Sequence, residues 1–357
     1  MDERSRSFLR RLLDAPGPSG YERAPARIWR AEAETFADEV TLDVAGNSYA
    51  FVRAKNATLQ NPAIIFAGHI DEIGFIITHI DPEGYLWFDA IGGWDAPVAV
   101  GQRIRIVGRD GDVVGVVGKK AIHIIPPEER DKPVKLKDLW IDIGARSRAE
   151  ANALVEIGDP AVIDARFVRL AGDLCASRSM DNRVGAFVAL EAARLVAANR
   201  GDVDVCAVAT SREEISFAGA MTAAVRTQPL AAIAIDVTHA TDYPGADKKL
   251  DDEVKLGGGP VLSRGASINP VVFQALRDAA ARLDIDCPIQ GSGRHTGTDA
   301  DPMSAAGSGA AAGLISLPNR YMHSPNETVS LDDLEQASRV LAEFARSTRP
   351  DADFRPT

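Results

Sequence analysis

The 357-residue sequence lacks the features that mark membrane, secreted and nucleic-acid-binding proteins. It has no run of about 18 apolar residues, so it predicts no membrane span. Its charged start, MDERSRSFLRRLLDAPG, has no apolar core of signal-peptide length. The three cysteines, Cys175, Cys206 and Cys287, are scattered, which argues against a cysteine metal site and favours buried free thiols in a reducing cytoplasm. The net charge of −11 argues against a nucleic-acid partner.

The composition is that of a globular protein, with 45% apolar and 25% charged residues. Its length predicts one large domain and a smaller one. Helical and strand patterns alternate in residues 1–70 and again in 166–357. Because several of the strands are apolar on both faces, we predict an α/β fold whose mixed, mainly parallel sheet is sandwiched by helices.

Residues 71–165 have a different pattern. Short strands such as GFIITHI, YLWFDAI and QRIRIVG are joined by Gly/Asp turns, with no predicted helix before 147–156. We expect this segment to form a small β-rich domain inserted into the larger one, which residues 1–70 and 166–357 form. Within it, PPEERDKPVKLKD has no apolar periodicity and is predicted to be a mobile, solvated loop.

Polar residues stand where the apolar strands of the larger domain end. Ligands bind beyond the carboxyl ends of the strands in such sheets. The residues are His69 and Asp71 after PAIIFAG, Glu213 and Glu214 after VDVCAVATSR, Asp236 after AAIAI, His323 after LISLPNRYM, and Asp181 before the helix predicted from residue 182 to 198. Together they have the imidazole and carboxylate composition of a metal site.

Each position taken alone also has an ordinary explanation. Glu213 and Glu214 could face water at a strand end, and His323 could be a loop histidine. Asp181 could cap the helix that follows it, and Asp236 could close a turn.

His69 and Asp71 are two residues apart, so in extended chain their side chains point to the same face. This spacing suits a metal-bound histidine whose ring is oriented by an aspartate, although a chance pair on a strand end has the same spacing.

Charge favours two metal ions over one. The carboxylates of Asp181, Glu214 and Asp236 carry three negative charges, and two divalent ions with one bound hydroxide bring the sum to zero. Glu213 is then left without a metal ion to bind, beside activated water, where a carboxylate can act as general base. Successive side chains diverge in extended chain, so Glu213 and Glu214 could serve these two purposes.

Five motifs, in order along the chain, resemble those of the tetrahedral (TET) aminopeptidases, metallopeptidase family forty-two. They are AGHIDEIGF, SMDNRVG, SREEISFAGA, AIDVTHATDYPGA and NRYMHSPNETVSLDDLE. PGPSGYE, LWIDIGARSRAEA and GTDA also match, so the resemblance covers essentially the whole chain. SREEIS and the Asp301-Pro302 pair depart from the family pattern near the substrate pocket, which leaves the preferred N-terminal residue open.

The resemblance implies a role for each site residue. One metal ion would be bound by His69 and Asp236 and the other by Glu214 and His323, with Asp181 bridging them, Glu213 as general base and Asp71 orienting His69. It further implies two zinc or cobalt ions per subunit, with manganese as another option. The peptide bond between Asp181 and Asn182 is expected to be cis.

The resemblance also implies partners and assembly. The substrates would be peptides with a free N-terminus, and a PDZ-like inserted domain would support homo-oligomers, from dimers to dodecamers. His79 and His123 are interpreted as structural or interface residues, and the roles of His239 and His295 stay open.

The leading hypothesis is a cytoplasmic dinuclear metallo-aminopeptidase. One alternative is an amidohydrolase or deacylase of a small metabolite on the same metals, and another is a non-catalytic oligomeric scaffold. Glycoside hydrolysis is disfavoured because the adjacent Glu213 and Glu214 cannot flank a sugar.

Overall fold

The computed structural model describes residues 1–56, 63–249 and 252–356. Its helices are α1 (Glu3–Asp14), α2 (Arg23–Ala33), α3 (Ala96–Ala99), α4 (Arg148–Asn152), α5 (Met180–Ala198), α6 (Glu213–Ser216), α7 (Ala218–Thr227), α8 (Pro270–Arg282), α9 (Ala300–Ala305) and α10 (Leu331–Ser347). No helix in these ranges is long and apolar enough to cross a membrane.

The strands fall into three groups along the chain. The first flank, residues 1–70, contributes β1 (Glu39–Leu42), β2 (Ser48–Val52) and β3 (Ala63–His69). The middle contributes β4 (Gly74–Ile80), β5 (Leu86–Ile91), β6 (Arg103–Gly108), β7 (Gly111–Gly118), β8 (Trp140–Asp142) and β9 (Pro160–Ile163). The second flank contributes β10 (Val168–Arg169), β11 (Leu174–Ser177), β12 (Asp204–Thr210), β13 (Ala231–His239), β14 (Val261–Gly265), β15 (Ile289–Ser292), β16 (Ala312–Asn319) and β17 (Glu327–Ser330).

Eight of the strands before and after the middle group form one sheet in the order β1-β2-β12-β3-β13-β16-β14-β15, and β10, β11 and β17 form a separate three-stranded sheet. The centre of the eight-stranded sheet is parallel, because β3 pairs parallel with β12 and β13, and β13 pairs parallel with β16. The apolar runs of these strands are buried, and α5 packs across β3, β12 and β13. The predicted α/β fold with a mixed, mainly parallel sheet is confirmed.

The middle strands close a six-stranded barrel in the order β4-β5-β8-β7-β6-β9. It has its own core, which includes Phe75, Ile104, Ile106 and Ile141, separate from the core of the large sheet. The barrel lies inside the segment 71–165, for which the separate inserted domain stays a prediction. The segment 126–138 is mostly exposed and contains two short 3-10 turns.

Helix positions agree with the sequence patterns, with differences at the ends. The helix predicted for residues 147–156 is shorter in the structure, where it forms α4. The short α3 lies where no helix was expected. The three cysteines are unpaired, as predicted, and burial raises the pKa of the Cys175 thiol to about 12.

The register of the central strands aligns their carboxyl ends. His69, the last residue of β3, pairs with Thr210, the last residue of β12. Ala67 of β3 pairs with Ala234 of β13, so Asp236 lies level with His69 on the neighbouring strand. The α6 turn follows directly after β12, which places its residues at the same edge of the sheet.

Candidate metal centre

The structure brings all seven predicted site residues together at this edge of the sheet. His69 ends β3, Asp236 lies in β13, Asp181 begins α5, and the loop after β16 carries His323. The remaining three are Asp71, Glu213 and Glu214.

The expected extended conformation of Glu213 and Glu214 is wrong. Both lie in the single helical turn α6, which Arg212 and Phe217, each with φ of 56°, flank on either side. The first N–H groups of a helical turn have no partner within that turn. Here the Asp71 carboxylate is the partner of two of these groups. Its Oδ1 accepts from the Glu213 N–H at 3.2 Å, and its Oδ2 accepts from the Glu214 N–H at 3.2 Å.

Asp71 also contacts the histidine at the end of β3. Its Oδ1 lies 3.4 Å from Nδ1 of His69, and both side chains are fully buried. One carboxylate therefore connects β3 to α6, and Nε2 of His69 is left facing the cluster of acids.

The donor atoms form two groups that share Asp181. In the first group, Nε2 of His69 lies 3.1 Å from Oδ1 of Asp181 and 3.9 Å from Oδ1 of Asp236. In the second, Nε2 of His323 lies 3.4 Å from Oδ2 of Asp181 and 3.6 Å from Oε2 of Glu214. Within each group the donor atoms lie within 4.8 Å of one another. The two oxygens of Asp181 thus face two different histidines.

Glu213 stands next to the first group without belonging to either. Its Oε2 lies 3.7 Å from Nε2 of His69. Burial, with the charges of Asp236, Asp299 and Glu214 added to it, raises its pKa to about 11.

The electrostatics of the cluster suit cations. Burial also raises the pKa of Glu214 and of Asp236 well above the ordinary value. Across residues 1–56, 63–249 and 252–356, no lysine or arginine forms an ion pair with Asp181, Glu213, Glu214 or Asp236. Oε1 of Glu214 is buried with no hydrogen-bond partner among the described residues. Imidazole and carboxylate donors that lack a cation in this way fit divalent metal ions.

The backbone at the shared ligand is unusual. The peptide bond between Asp181 and Asn182 is cis, as predicted, and both residues have non-helical angles inside the first turn of α5. Asn182, rather than Asp181, caps the regular part of the helix, since its Oδ1 accepts from the Gly185 N–H at 3.0 Å. The side chain of Asp181 is therefore free to face both histidines.

A buried ion-pair network supports the loop after β3. Glu72 accepts from Arg183 at 2.8 Å and also bonds to Arg178. Arg183 is fully buried and donates to the carbonyl of Ile70 at 3.0 Å and to that of Leu12 at 3.0 Å. The network joins the end of α1, the His69 loop and the start of α5, which together carry three of the site residues.

A cavity of about 680 Å³ opens in front of the donor groups. Beyond them its wall combines hydroxyl and amide groups with apolar ones, namely Thr238, Ser263, Gln290, Ser292, Ser316, Ile215, Phe217, Leu314 and Met322. His239 also lines it, whereas His295 is exposed and is not among its lining residues. His79 and His123 are exposed in the barrel segment. The wall therefore offers both hydrogen-bonding and apolar contacts to a bound molecule.

Two buried acids of the site were given no role by the sequence patterns. Asp299 accepts from Thr210 Oγ1 at 2.5 Å, and burial raises its pKa to about 6. Glu327 accepts backbone N–H groups from Asp181 and His323. Both residues occur in motifs that carry the family resemblance, GTDA and HSPNE. This was the sequence evidence that could have marked them as residues of the site.

The profile of the M42 glutamyl aminopeptidase family matches residues 47–340. The chain belongs to the M42 aminopeptidase family. The predicted resemblance is thereby confirmed, and family membership makes the chain a peptidase, a hydrolase of peptide bonds.

Relatives match this family member over nearly its whole length. The lysyl aminopeptidase of Pyrococcus furiosus is 33% identical over 357 residues, covering 98% of this chain and 99% of its own. A TET aminopeptidase from a marine sediment archaeon of the Thaumarchaeota is 34% identical, with a TM-score of 0.91 and 97% of each chain covered. The TET1 peptidase of Pyrococcus horikoshii, which can assemble into a tetrahedron or a large octahedral shell, is 29% identical with a TM-score of 0.85, covering 96% of this chain and 100% of its own.

Proposed function

We propose that this M42 family member is a dinuclear metallo-aminopeptidase that removes residues from the free N-terminus of peptides. The observation that carries the proposal is the position of the Asp181 carboxylate between two histidines. Its Oδ1 faces His69 and its Oδ2 faces His323. A carboxylate placed in this way can bridge two metal ions.

The two donor groups support one set of ligands for each proposed ion. His69 and Asp236 would hold the first ion, Glu214 and His323 the second, and Asp181 both. The donors favour borderline divalent metals, and zinc, cobalt or manganese are the candidates. When bound, the ions supply Lewis acidity at the scissile carbonyl and lower the pKa of water.

Glu213 would act as the general base. It is next to the first donor group but is not needed as a ligand, so its carboxylate can take a proton from the attacking water and transfer it to the leaving amine. Asp71 keeps the base in place, because it holds the N–H groups of Glu213 and Glu214.

The free amine of the substrate should be the decisive recognition element. Among the acids that line the cavity, Glu213 is the one not assigned to a metal ion, so its carboxylate can attract an ammonium group, and a charge-assisted hydrogen bond is worth about 1.5–3 kcal/mol. We expect N-acetylation of an aminoacyl-anilide substrate to reduce kcat/KM by about 10–100-fold or more, at about 1.4 kcal/mol per factor of ten. A panel of free and N-acetylated anilides measures this directly.

The same panel separates the alternatives. Faster turnover of the acetylated compounds would favour a deacylase or amidohydrolase of small metabolites. If the chain binds its metal ions but hydrolyses neither series, the scaffold hypothesis replaces the peptidase proposal.

The proposed assembly is a homo-oligomer built through the segment 71–165. Large apolar side chains are exposed there, including Val114, Ile122 and Ile124. The tetrahedral assembly of the Pyrococcus horikoshii relative and the dodecamer in the PhTET1-12s structure support a dodecamer of this chain, and light scattering of the purified protein measures the number of copies.

A further inference from the structure

Glu327 connects two segments that lie far apart in the sequence. Its Oε1 accepts from the backbone N–H of His323 at 2.9 Å, and its Oε2 accepts from the backbone N–H of Asp181 at 3.0 Å, a residue 146 positions away. The side chain is buried, with 2% of its surface exposed. Among the described residues no cationic side chain forms an ion pair with it, so these two N–H groups are the polar contacts that hold its carboxylate.

The backbone of Glu327 is itself fixed on both sides. It pairs with Ser177 of β11, the strand that leads into the turn before Asp181. The next residue, Thr328, exchanges two backbone hydrogen bonds of 3.0 Å with Arg320, which closes the loop that carries His323. Glu327 is thus a rigid point between the two segments.

The loop that carries His323 needs such a contact. His323 has φ of 59°, in the left-handed region that residues other than glycine rarely adopt. A backbone in this region is strained and persists only where neighbouring contacts impose it. The N–H bond to Glu327 is one contact that imposes it.

We propose that Glu327 is a positioning residue that sets the separation of Asp181 and His323 for the second metal ion. It touches neither the metal nor the substrate, and it acts through the backbone of two ligands. The proposal rests on the proposed function, because it needs a metal ion bound by these two residues. A carboxylate suits this task since each of its oxygens accepts one N–H, whereas a glutamine offers one oxygen and places an NH₂ group against the other N–H.

The chain contains a matched control. Asp333 is buried, its Oδ1 accepts from the Gly259 N–H at 2.9 Å, and its Oδ2 accepts from the Gly257 N–H at 2.8 Å. This is the same pairing of one carboxylate with two backbone N–H groups, and neither glycine belongs to a donor group. Replacing Asp333 with asparagine removes the same kind of contact without touching a ligand.

The test compares zinc affinities of the wild type, Glu327→Gln and Asp333→Asn by competition with a chelator. We expect Glu327→Gln to lower the affinity for the second ion by about 10–100-fold, as is typical when a residue that orients metal ligands is replaced. We expect Asp333→Asn to lower the melting temperature while both ions keep wild-type affinity. Excess zinc should restore part of the turnover of Glu327→Gln, which a purely structural defect would not allow.

Two results would overturn the proposal. One is wild-type affinity for both ions in Glu327→Gln. The other is failure of both Glu327→Gln and Glu327→Asp to fold with zinc present, since Glu327 would then serve folding rather than positioning. A wild type that binds fewer than two ions instead contradicts the proposed function itself.

Discussion

Replacing Glu213 with glutamine is expected to reduce kcat by about 10²–10⁴-fold, the usual contribution of a general base. The amide has nearly the same shape but cannot take up the proton of the attacking water. Because Glu213 lies outside both donor groups, the variant should still hold two metal ions. Steady-state kinetics together with elemental analysis of the same preparation measures both quantities.

The neighbouring residue provides the control. Glu214→Gln changes the same chemical group one position along the same helical turn, but Glu214 belongs to the second donor group. This variant should lose metal as well as activity. If Glu213→Gln keeps substantial activity, Glu213 is not the base, and if it loses a metal ion, Glu213 is a ligand.

The second large effect is a steep increase of metal affinity with pH. In the metal-free chain, burial raises the pKa of Glu213 to about 11 and raises those of Glu214 and Asp236. Burial lowers the pKa of His69, but the surrounding carboxylates outweigh it and raise that pKa well above the ordinary value. The charge of Glu213 makes the largest contribution among them. Metal ions must displace these protons, so affinity should rise about tenfold per pH unit for each proton released.

The sign of the stability change follows from the same shifts. The folded metal-free chain keeps protons on its glutamates that the unfolded chain releases above the ordinary pKa of 4.5. The contribution of these glutamates to the free energy of unfolding is therefore fully present below that pH. It is lost as the pH rises toward their pKa values in the folded chain. The raised pKa of His69 acts in the same direction above 6.5.

We expect the melting temperature of the metal-free protein to fall between about pH 6 and pH 8, and the gap to the zinc-loaded protein to widen. Calorimetric zinc titrations in buffers of different ionisation enthalpy count the released protons. A metal-free melting temperature that rises over this range, or zinc binding without proton release, would contradict the electrostatic description of the site.

The sequence patterns predicted the long strands better than the short ones. The central strands β3, β12, β13 and β16 each contain a mostly apolar run, which predicted that they are buried. The short β14 and β15 at the sheet edge were not predicted. β15 alternates exposed and half-buried positions and contains Gly291, so it carries no hydrophobic signal.

The clustering of the seven candidate residues was predictable because the ends of parallel strands meet at one edge of the sheet. The turn at Glu213 and Glu214 was not, since its left-handed flanking residues, Arg212 and Phe217, are not glycines and give no turn signal. The role of Glu327 was hidden for a different reason. Its partner at Asp181 is a backbone N–H 146 residues away, and such a contact leaves no spacing pattern.

The number of metal ions per chain tests the central claim most directly. Zinc titration of the metal-free wild type, with elemental analysis of the loaded protein, should give two ions per chain, and His323→Ala should give one. The structure predicts this because the donor group of Asp181, Glu214 and His323 is distinct from that of His69, Asp181 and Asp236. A single ion in the wild type, or two ions retained in His323→Ala, would contradict the dinuclear centre.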